Sequence, residues 1–214
     1  MIKRFGFTLA EVLITLGIIG IVAEMTIPTL MNKTQDMELK TAYKKSYSVL
    51  SQAFLLMITD NAESVKNICA NGDTACLRDL FASKLNVVKK CDAGSVDSQC
   101  WPPTWTRLNN NPGWATGATT TGLALNDGTF IEFGSYFVNC DSATGSLFDC
   151  GSFGIDVNGL KKPNKIGKDI YFIHLMDNTI KPFGTPGDDV TSRAGYDCGG
   201  TGDGEICAYD YLYK

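Results

Sequence analysis

Residues 6–11 of the chain read Gly6-Phe7-Thr8-Leu9-Ala10-Glu11, and twelve residues without a charge follow, from Val12 to Ala23. A carboxylate inside a membrane segment costs roughly 2.5–3.5 kcal/mol on insertion scales, so it is functional by default. If such helices stack with an axial offset, a positive charge on one chain can pair with the Glu11 carboxylate of its neighbour, and the ion pair sets the register.

Two ordinary explanations of this N-terminus compete with assembly. Lys3 and Arg4 precede the apolar run, as in a secretory signal peptide cleaved near Ala23. However, Glu11 brings such a peptide no benefit, and Ile21 does not fit the small residue expected two positions before the cut. A plain membrane anchor requires about 18 apolar residues, and the uncharged run is shorter than that.

The stretch from Gly6 to Glu11, with the apolar run and Pro28, resembles the processing and methylation signature of type IV pilins and type II secretion pseudopilins. In that family a prepilin peptidase cuts after the position matching Gly6 and methylates the new amine on Phe7. The carboxylate matching Glu11 is needed for assembly. The resemblance implies a leader at residues 1–6, a transmembrane and polymerisation helix at 7–31, and an exported pilin-like domain at 32–214.

The position of the basic residues predicts the orientation of the chain in a membrane. Lys3 and Arg4 should keep the leader in the cytoplasm, so the chain after about Met31 should lie on the exported side of the membrane. We therefore expect a single-pass inner-membrane protein with a periplasmic C-terminal domain that is extracted into a fibre. The family resemblance implies as partners a homo- or hetero-polymer of pilin-like subunits, the prepilin peptidase, an inner-membrane assembly platform and membrane lipid.

The composition narrows the function classes further. The 214 residues carry a net charge of -4 with one His and eight Cys. An acidic chain without a basic patch argues against nucleic-acid binding. One His leaves little room for His-based metal sites or for a catalytic triad, and we expect no enzyme.

The spacing of apolar residues after the membrane segment predicts an α+β fold. One helical face recurs at steps of three and four residues: Leu39, Tyr43, Tyr47, Leu50, Phe54 and Met57, widened by Ala53 and Leu56. A short helix capped at Asp73-Thr74 is expected over residues 75–85, and a strand over 153–157. Turn residues predict hairpins over 123–133 and 170–183. The long N-terminal helix, with its first half in the membrane, should therefore pack on a small antiparallel sheet of three to five strands in a loop-rich, disulfide-bonded domain.

The cysteines fall in four close pairs: Cys69 and Cys76, Cys91 and Cys100, Cys140 and Cys150, and Cys198 and Cys207. The sequence contains no Cys-x-x-Cys motif, which argues against zinc binding and thioredoxin-like redox chemistry. Export to an oxidising compartment favours disulfides instead. Eight cysteines allow 105 connectivities. We predict pairing between neighbours, because each pair brackets a turn rich in small or polar residues; pairs that cross between loops are the alternative.

Two acidic loops are candidates for ligand binding. The loop over residues 184–210 is rich in Gly and Asp and is similar in composition to the calcium-binding loop of major pseudopilins. It predicts a calcium site from Asp188, Asp189, Asp203 and Glu205, and the alternative is that the Cys198/Cys207 disulfide clamps the loop instead. The second loop runs from Asp156 to Asp169 and resembles a pattern common in pseudopilin-like proteins. Its start looks like a fragment of an EF-hand, but without the remaining ligand spacing we interpret it as a capped turn.

Four further side chains were considered for function. Trp101, Trp105 and Trp114 either cap the end of the core or stack on a sugar or partner; we expect the former. His174 shares a strand face with Ile170 and is interpreted as a core or sheet residue. Taken together, the sequence favours a structural subunit of a type II secretion pseudopilus. The alternatives are a type IV pilin for adhesion, motility or DNA uptake, and a membrane-anchored sugar-binding module.

Overall fold

Helix α1 spans Leu9–Thr59 and is the longest element of the computed structural model, which describes residues 8–61, 63–144, 147–188, 197–199 and 201–214. Pro28 lies inside the helix and does not end it. By compactness the chain divides after Glu38 into two units, and α1 contributes to both. The predicted α+β fold class is confirmed, since α1 packs on an antiparallel sheet.

In the unit Leu39–Lys214, one face of α1 is buried as the spacing predicted. Leu39, Tyr43, Leu50, Phe54 and Met57 are all at most 8% exposed, and Ala53 beside them is also buried. The widening of this stripe to Leu56 was wrong, because Leu56 is 57% exposed. It lies beside the buried stripe rather than on it.

The main sheet has six strands in the order β1-β2-β3-β6-β7-β8, and every neighbouring pair is antiparallel. A separate two-stranded sheet pairs β4 with β5. The strands are β1 (Val87–Cys91), β2 (Thr121–Leu125), β3 (Phe130–Tyr136), β4 (Ser142–Thr144), β5 (Leu147–Asp149), β6 (Gly151–Asp156), β7 (Ile170–Leu175) and β8 (Ile180–Pro182). The described residues also form two short helices, α2 (Thr74–Ala82) and α3 (Cys207–Tyr213).

The locally encoded elements match their predictions. Both hairpins form, as β2-β3 and β7-β8, and the Asp73 side chain caps α2 by accepting a hydrogen bond from the Cys76 N–H at 2.9 Å. The sheet nevertheless exceeds the three to five strands expected. The apolar run of strand β1, Val87-Val88, is too short to indicate a strand from sequence alone. Its hydrogen-bonded ladder with β2 holds it in the sheet. Helix α3 falls in a segment that was predicted to be loop.

The sheet is covered on both faces. One face packs on α1 and α2, where Phe81 meets the rings of Phe54, Phe133 and Phe153 at centroid distances of 6.3, 5.4 and 5.6 Å. The other face is covered by the loop before β2, which buries a second cluster around Trp101. A segment with little regular structure therefore contributes the smaller of the two core clusters, together with residues of the strands beneath it.

Candidate functional site

The N-terminus of α1 is a capping box formed by Thr8 and Glu11. The Thr8 N–H and Thr8 hydroxyl both donate to Glu11 Oε2 at 2.8 Å, and the Glu11 N–H donates to Thr8 Oγ1 at 3.2 Å. The Thr-x-x-Glu spacing is a recognised start signal for a helix, and it could have been found in the sequence. The predicted cleavage and methylation residues, Gly6 and Phe7, lie outside the described residues.

Beyond the capping box, the part of α1 that precedes the division at Glu38 exposes apolar side chains on every side. Leu13, Leu16, Ile19 and Leu30 are 60–66% exposed. The helix contains a stretch long and apolar enough to cross a membrane, by length and composition. Such a surface is stable in lipid or against other apolar helices, and is unfavourable in water.

Two of the predicted calcium ligands of the C-terminal loop, Asp188 and Asp203, are engaged in hydrogen bonds within the protein. Asp188 is buried and accepts hydrogen bonds from the Gly184 N–H and from the His174 ring. The Asp203 carboxylate accepts from the Glu205 N–H at 3.1 Å. Asp189 lies outside the described residues. Within the described ranges, no three His, Cys, Asp or Glu side chains are arranged to hold a metal, so calcium at this loop stays a prediction.

His174 sits in a buried cluster that the sequence reasoning missed. Its Nδ1 lies 2.8 Å from Asp149 Oδ2 and its Nε2 lies 2.8 Å from Asp188 Oδ2, while its ring stacks on Phe183 at 4.0 Å. Burial opposes the charged ring, but hydrogen bonds to the two carboxylates outweigh it and raise the pKa of His174 to about 9. The cluster ties the segment after β8 to strand β7. Both ring nitrogens are occupied.

All eight cysteines are paired as sequence neighbours. The bonds are Cys69–Cys76, Cys91–Cys100, Cys140–Cys150 and Cys198–Cys207. Cys91 and Cys100 belong to the cluster around Trp101, on the face of the sheet that the loop before β2 covers. Cys198–Cys207 ties the acidic loop to the start of α3. The loops that cover the core are therefore held covalently.

The turn from Asp156 to Asp169 joins β6 to β7 and carries two fully buried carboxylates. Asp156 Oδ1 accepts from the Asn158 N–H at 3.1 Å, and the two Asp169 oxygens accept from the N–H groups of Asn164 and Lys165 at 2.8 and 2.6 Å. These bonds agree with the predicted capped turn. Burial and the nearby Asp169 charge raise the pKa of Asp156 to about 8.

The three tryptophans lie on the outer face of the sheet. Trp101 and Trp105 are 0% and 9% exposed, so they belong to the core as expected, whereas Trp114 is 41% exposed with the Arg107 guanidinium 4.4 Å from its ring centroid. A cavity of about 280 Å³ borders Trp105, Trp114 and the partly buried Glu132. Burial and the charge of Asp97 raise the pKa of Glu132 to about 8.

Comparison with known proteins identifies the N-terminus. Residues 1–23 match the family model of the prokaryotic N-terminal methylation motif. No curated protein and no solved structure matches the chain. The motif implies processing by a prepilin peptidase and assembly of pilin-like subunits in general, and it covers Gly6 to Ala23 of the stretch on which the resemblance rested. The match therefore supports the resemblance of this N-terminus to those of type IV pilins and pseudopilins.

Proposed function

We propose that the chain is a structural subunit of a type II secretion pseudopilus, stored in the inner membrane and drawn into a fibre through its N-terminal helix. The observation that carries this proposal is the methylation motif at residues 1–23, followed by a helix whose apolar side chains are exposed. An apolar helix surface that the described residues leave exposed is suited to lipid before assembly and to neighbouring helices afterwards.

The role proposed for Glu11 is to hold the register between subunits. A carboxylate and an amine are each costly in an apolar environment, and pairing them offsets part of that cost. In the single chain, Glu11 instead bonds to Thr8. Assembly would thus exchange a local capping bond for an ion pair with the Phe7 amine of the next subunit.

We propose a structural rather than a catalytic role for the exported unit. His174 is the single His of the sequence, and its two ring nitrogens both face carboxylates at 2.8 Å. It is also only 1% exposed. A general base needs access to the proton that it abstracts, and this ring has neither a free nitrogen nor an open face.

The test is Glu11→Gln in the native host, with Glu24→Gln as the matched control. Gln can also complete a capping box, so the substitution removes the charge while keeping the helix start. We expect normal insertion and cleavage but a loss of fibres of at least tenfold, because the ion pair is absent. Glu24→Gln should assemble normally, since Glu24 is exposed and lies near the far end of the apolar segment. Normal fibre abundance in Glu11→Gln would exclude the register role.

The choice between pseudopilus and pilus needs a separate readout from the same strains. A pseudopilin predicts that Glu11→Gln blocks release of a secreted protein into the medium. A type IV pilin predicts that surface fibres, adhesion, motility or DNA uptake are lost while secretion continues. Measuring secretion and sheared surface fibres side by side therefore decides between the two.

A further inference from the structure

The turn between β6 and β7 contains oxygen atoms that the protein does not satisfy. Asp156 Oδ2, Asn158 Oδ1 and Asn164 Oδ1 are buried and have no hydrogen-bond partner. Asp156 is 0% exposed as a whole, so solvent does not reach its free oxygen. Buried polar atoms are almost always paired, and each exception calls for an explanation.

The charges in this turn are unbalanced as well. Asp156 and Asp169 are both 0% exposed, and the charge of Asp169 contributes to the raised pKa of Asp156. Among the described residues, the recorded ion pairs include neither carboxylate. The Lys165 ammonium, which lies within the turn, contacts Asn110 Oδ1 instead. Ionising both buried carboxylates at once is costly unless a cation neutralises them, and this cost raises the pKa of Asp156.

The turn is held firmly enough to keep a defined arrangement of oxygens. The Thr106 N–H donates to Asn164 O at 3.0 Å, and the Ile166 N–H donates back to Thr106 O at 2.9 Å. Gly167 has φ +75°, and a Cβ there would lie 2.7 Å from Cys207 Sγ. The turn is therefore fixed between the loop before β2 and the start of α3.

We propose that Asp156, Asp169, Asn158 and Asn164 form a binding site for one calcium ion. Two carboxylates and two amide oxygens are ligand types that Ca²⁺ takes, and main-chain carbonyls and water would complete its six to eight oxygens. The cation would neutralise the buried pair and satisfy the free oxygens. Mg²⁺ suits this site poorly, because it requires a tighter octahedral arrangement and keeps most of its water.

This site differs from the one that the sequence predicted in the C-terminal loop. There, Asp188 is bonded to His174 and Gly184. In the β6–β7 turn, by contrast, one unpaired oxygen belongs to the buried Asp156 carboxylate, and two belong to Asn side chains of the same turn. The start of the turn, Asp156-Val157-Asn158-Gly159, carries the EF-hand-like fragment noted in the sequence, and Asn158 and Asn164 supply oxygens that a search for carboxylates alone would omit.

The experiment uses the full chain, purified in detergent and freed of metal with chelator. Calorimetric titration with CaCl₂ should give one ion per chain, and millimolar Ca²⁺ should raise the melting temperature by several degrees over chelator. The test variant is Asp156→Asn, and the matched control is Asp203→Asn in the C-terminal loop. We expect Asp156→Asn to lose both the titration and the shift, and Asp203→Asn to keep them.

A second signature separates a metal site from a merely structural turn. In chelator, Asp156→Asn should melt no lower than wild type, because it removes one of two like charges and keeps the bond from the Asn158 N–H. If Asp156→Asn does not fold, Asn158→Ala should weaken calcium binding at least tenfold. Absence of calcium binding in wild type would overturn the proposal. So would a shift that survives Asp156→Asn or disappears only in Asp203→Asn.

Discussion

Helix α1 has two halves that differ in what they need from outside the chain. Leu16, before the division at Glu38, is 60% exposed, and Leu50, after it, is 1% exposed. Both are leucines of one helix, yet only the second half finds its apolar partners within its own unit. The comparison teaches that the second half serves the stability of the subunit. The first half presents an apolar surface that the described residues of its own unit leave exposed and that suits lipid or other chains.

The sharpest test of this comparison makes one chemical change at both places. Leu50→Ala should lower the free energy of unfolding of the unit Leu39–Lys214 by about 2–5 kcal/mol, since it removes a fully buried side chain. Leu16→Ala should change it by less than about 0.5 kcal/mol. Ala favours helix at least as well as Leu, so helix propensity does not confound the pair. Denaturant unfolding in detergent, followed by tryptophan fluorescence, measures both.

Similar losses from the two substitutions would break the comparison, because the first half would then stabilise the unit Leu39–Lys214. Wild-type stability in Leu50→Ala would contradict the packing of α1 on the sheet. Leu16→Ala also serves as the control for handling in detergent.

The next prediction concerns the free energy of unfolding as the His174 ring loses its proton. The groups that face the ring are Asp149, Asp188 and the stacked Phe183, and Lys181 lies opposite on β8. The pKa of His174 is raised to about 9 from an ordinary 6.5. The added stability is therefore complete below pH 6.5 and is lost as the pH rises through 9, by on the order of 3 kcal/mol.

The readout is the difference in unfolding free energy between wild type and His174→Gln, measured in chelator from pH 6 to pH 10. Taking the difference removes contributions from other buried groups, such as Glu132. It should shrink steadily between pH 6.5 and pH 9. A difference that does not change with pH would show that the ring is held by shape and neutral hydrogen bonds alone.

The parts of the molecule that the sequence predicted are those encoded by neighbouring residues. The hairpins follow from turn residues between apolar runs, and the cap of α2 follows from Asp73. The capping box of Thr8 and Glu11 is equally local, since its Thr-x-x-Glu spacing is visible in the sequence.

The parts that the sequence did not predict depend on distant contacts. Asp149 and Asp188 lie 25 and 14 residues from His174, and only the fold brings the three together. Strand β1 and helix α3 also depend on distant contacts, because both have weak local sequence signals. Strand β1 is held by its ladder with β2, and α3 is held by the disulfide between Cys207 and Cys198. The unpaired oxygens of the β6–β7 turn are likewise a property of burial, which composition does not reveal.

The central claim is that the N-terminal helix is processed and then used for assembly, and the mass of the mature N-terminus tests it most directly. Intact-mass and peptide mass spectrometry of the protein from its native membrane should find a chain that begins at Phe7 and carries one methyl group on its amine, as the matched motif implies. A chain that begins near Glu24 would indicate a signal peptide. A chain that retains residues 1–6 would indicate a plain anchor, and either result would contradict the account.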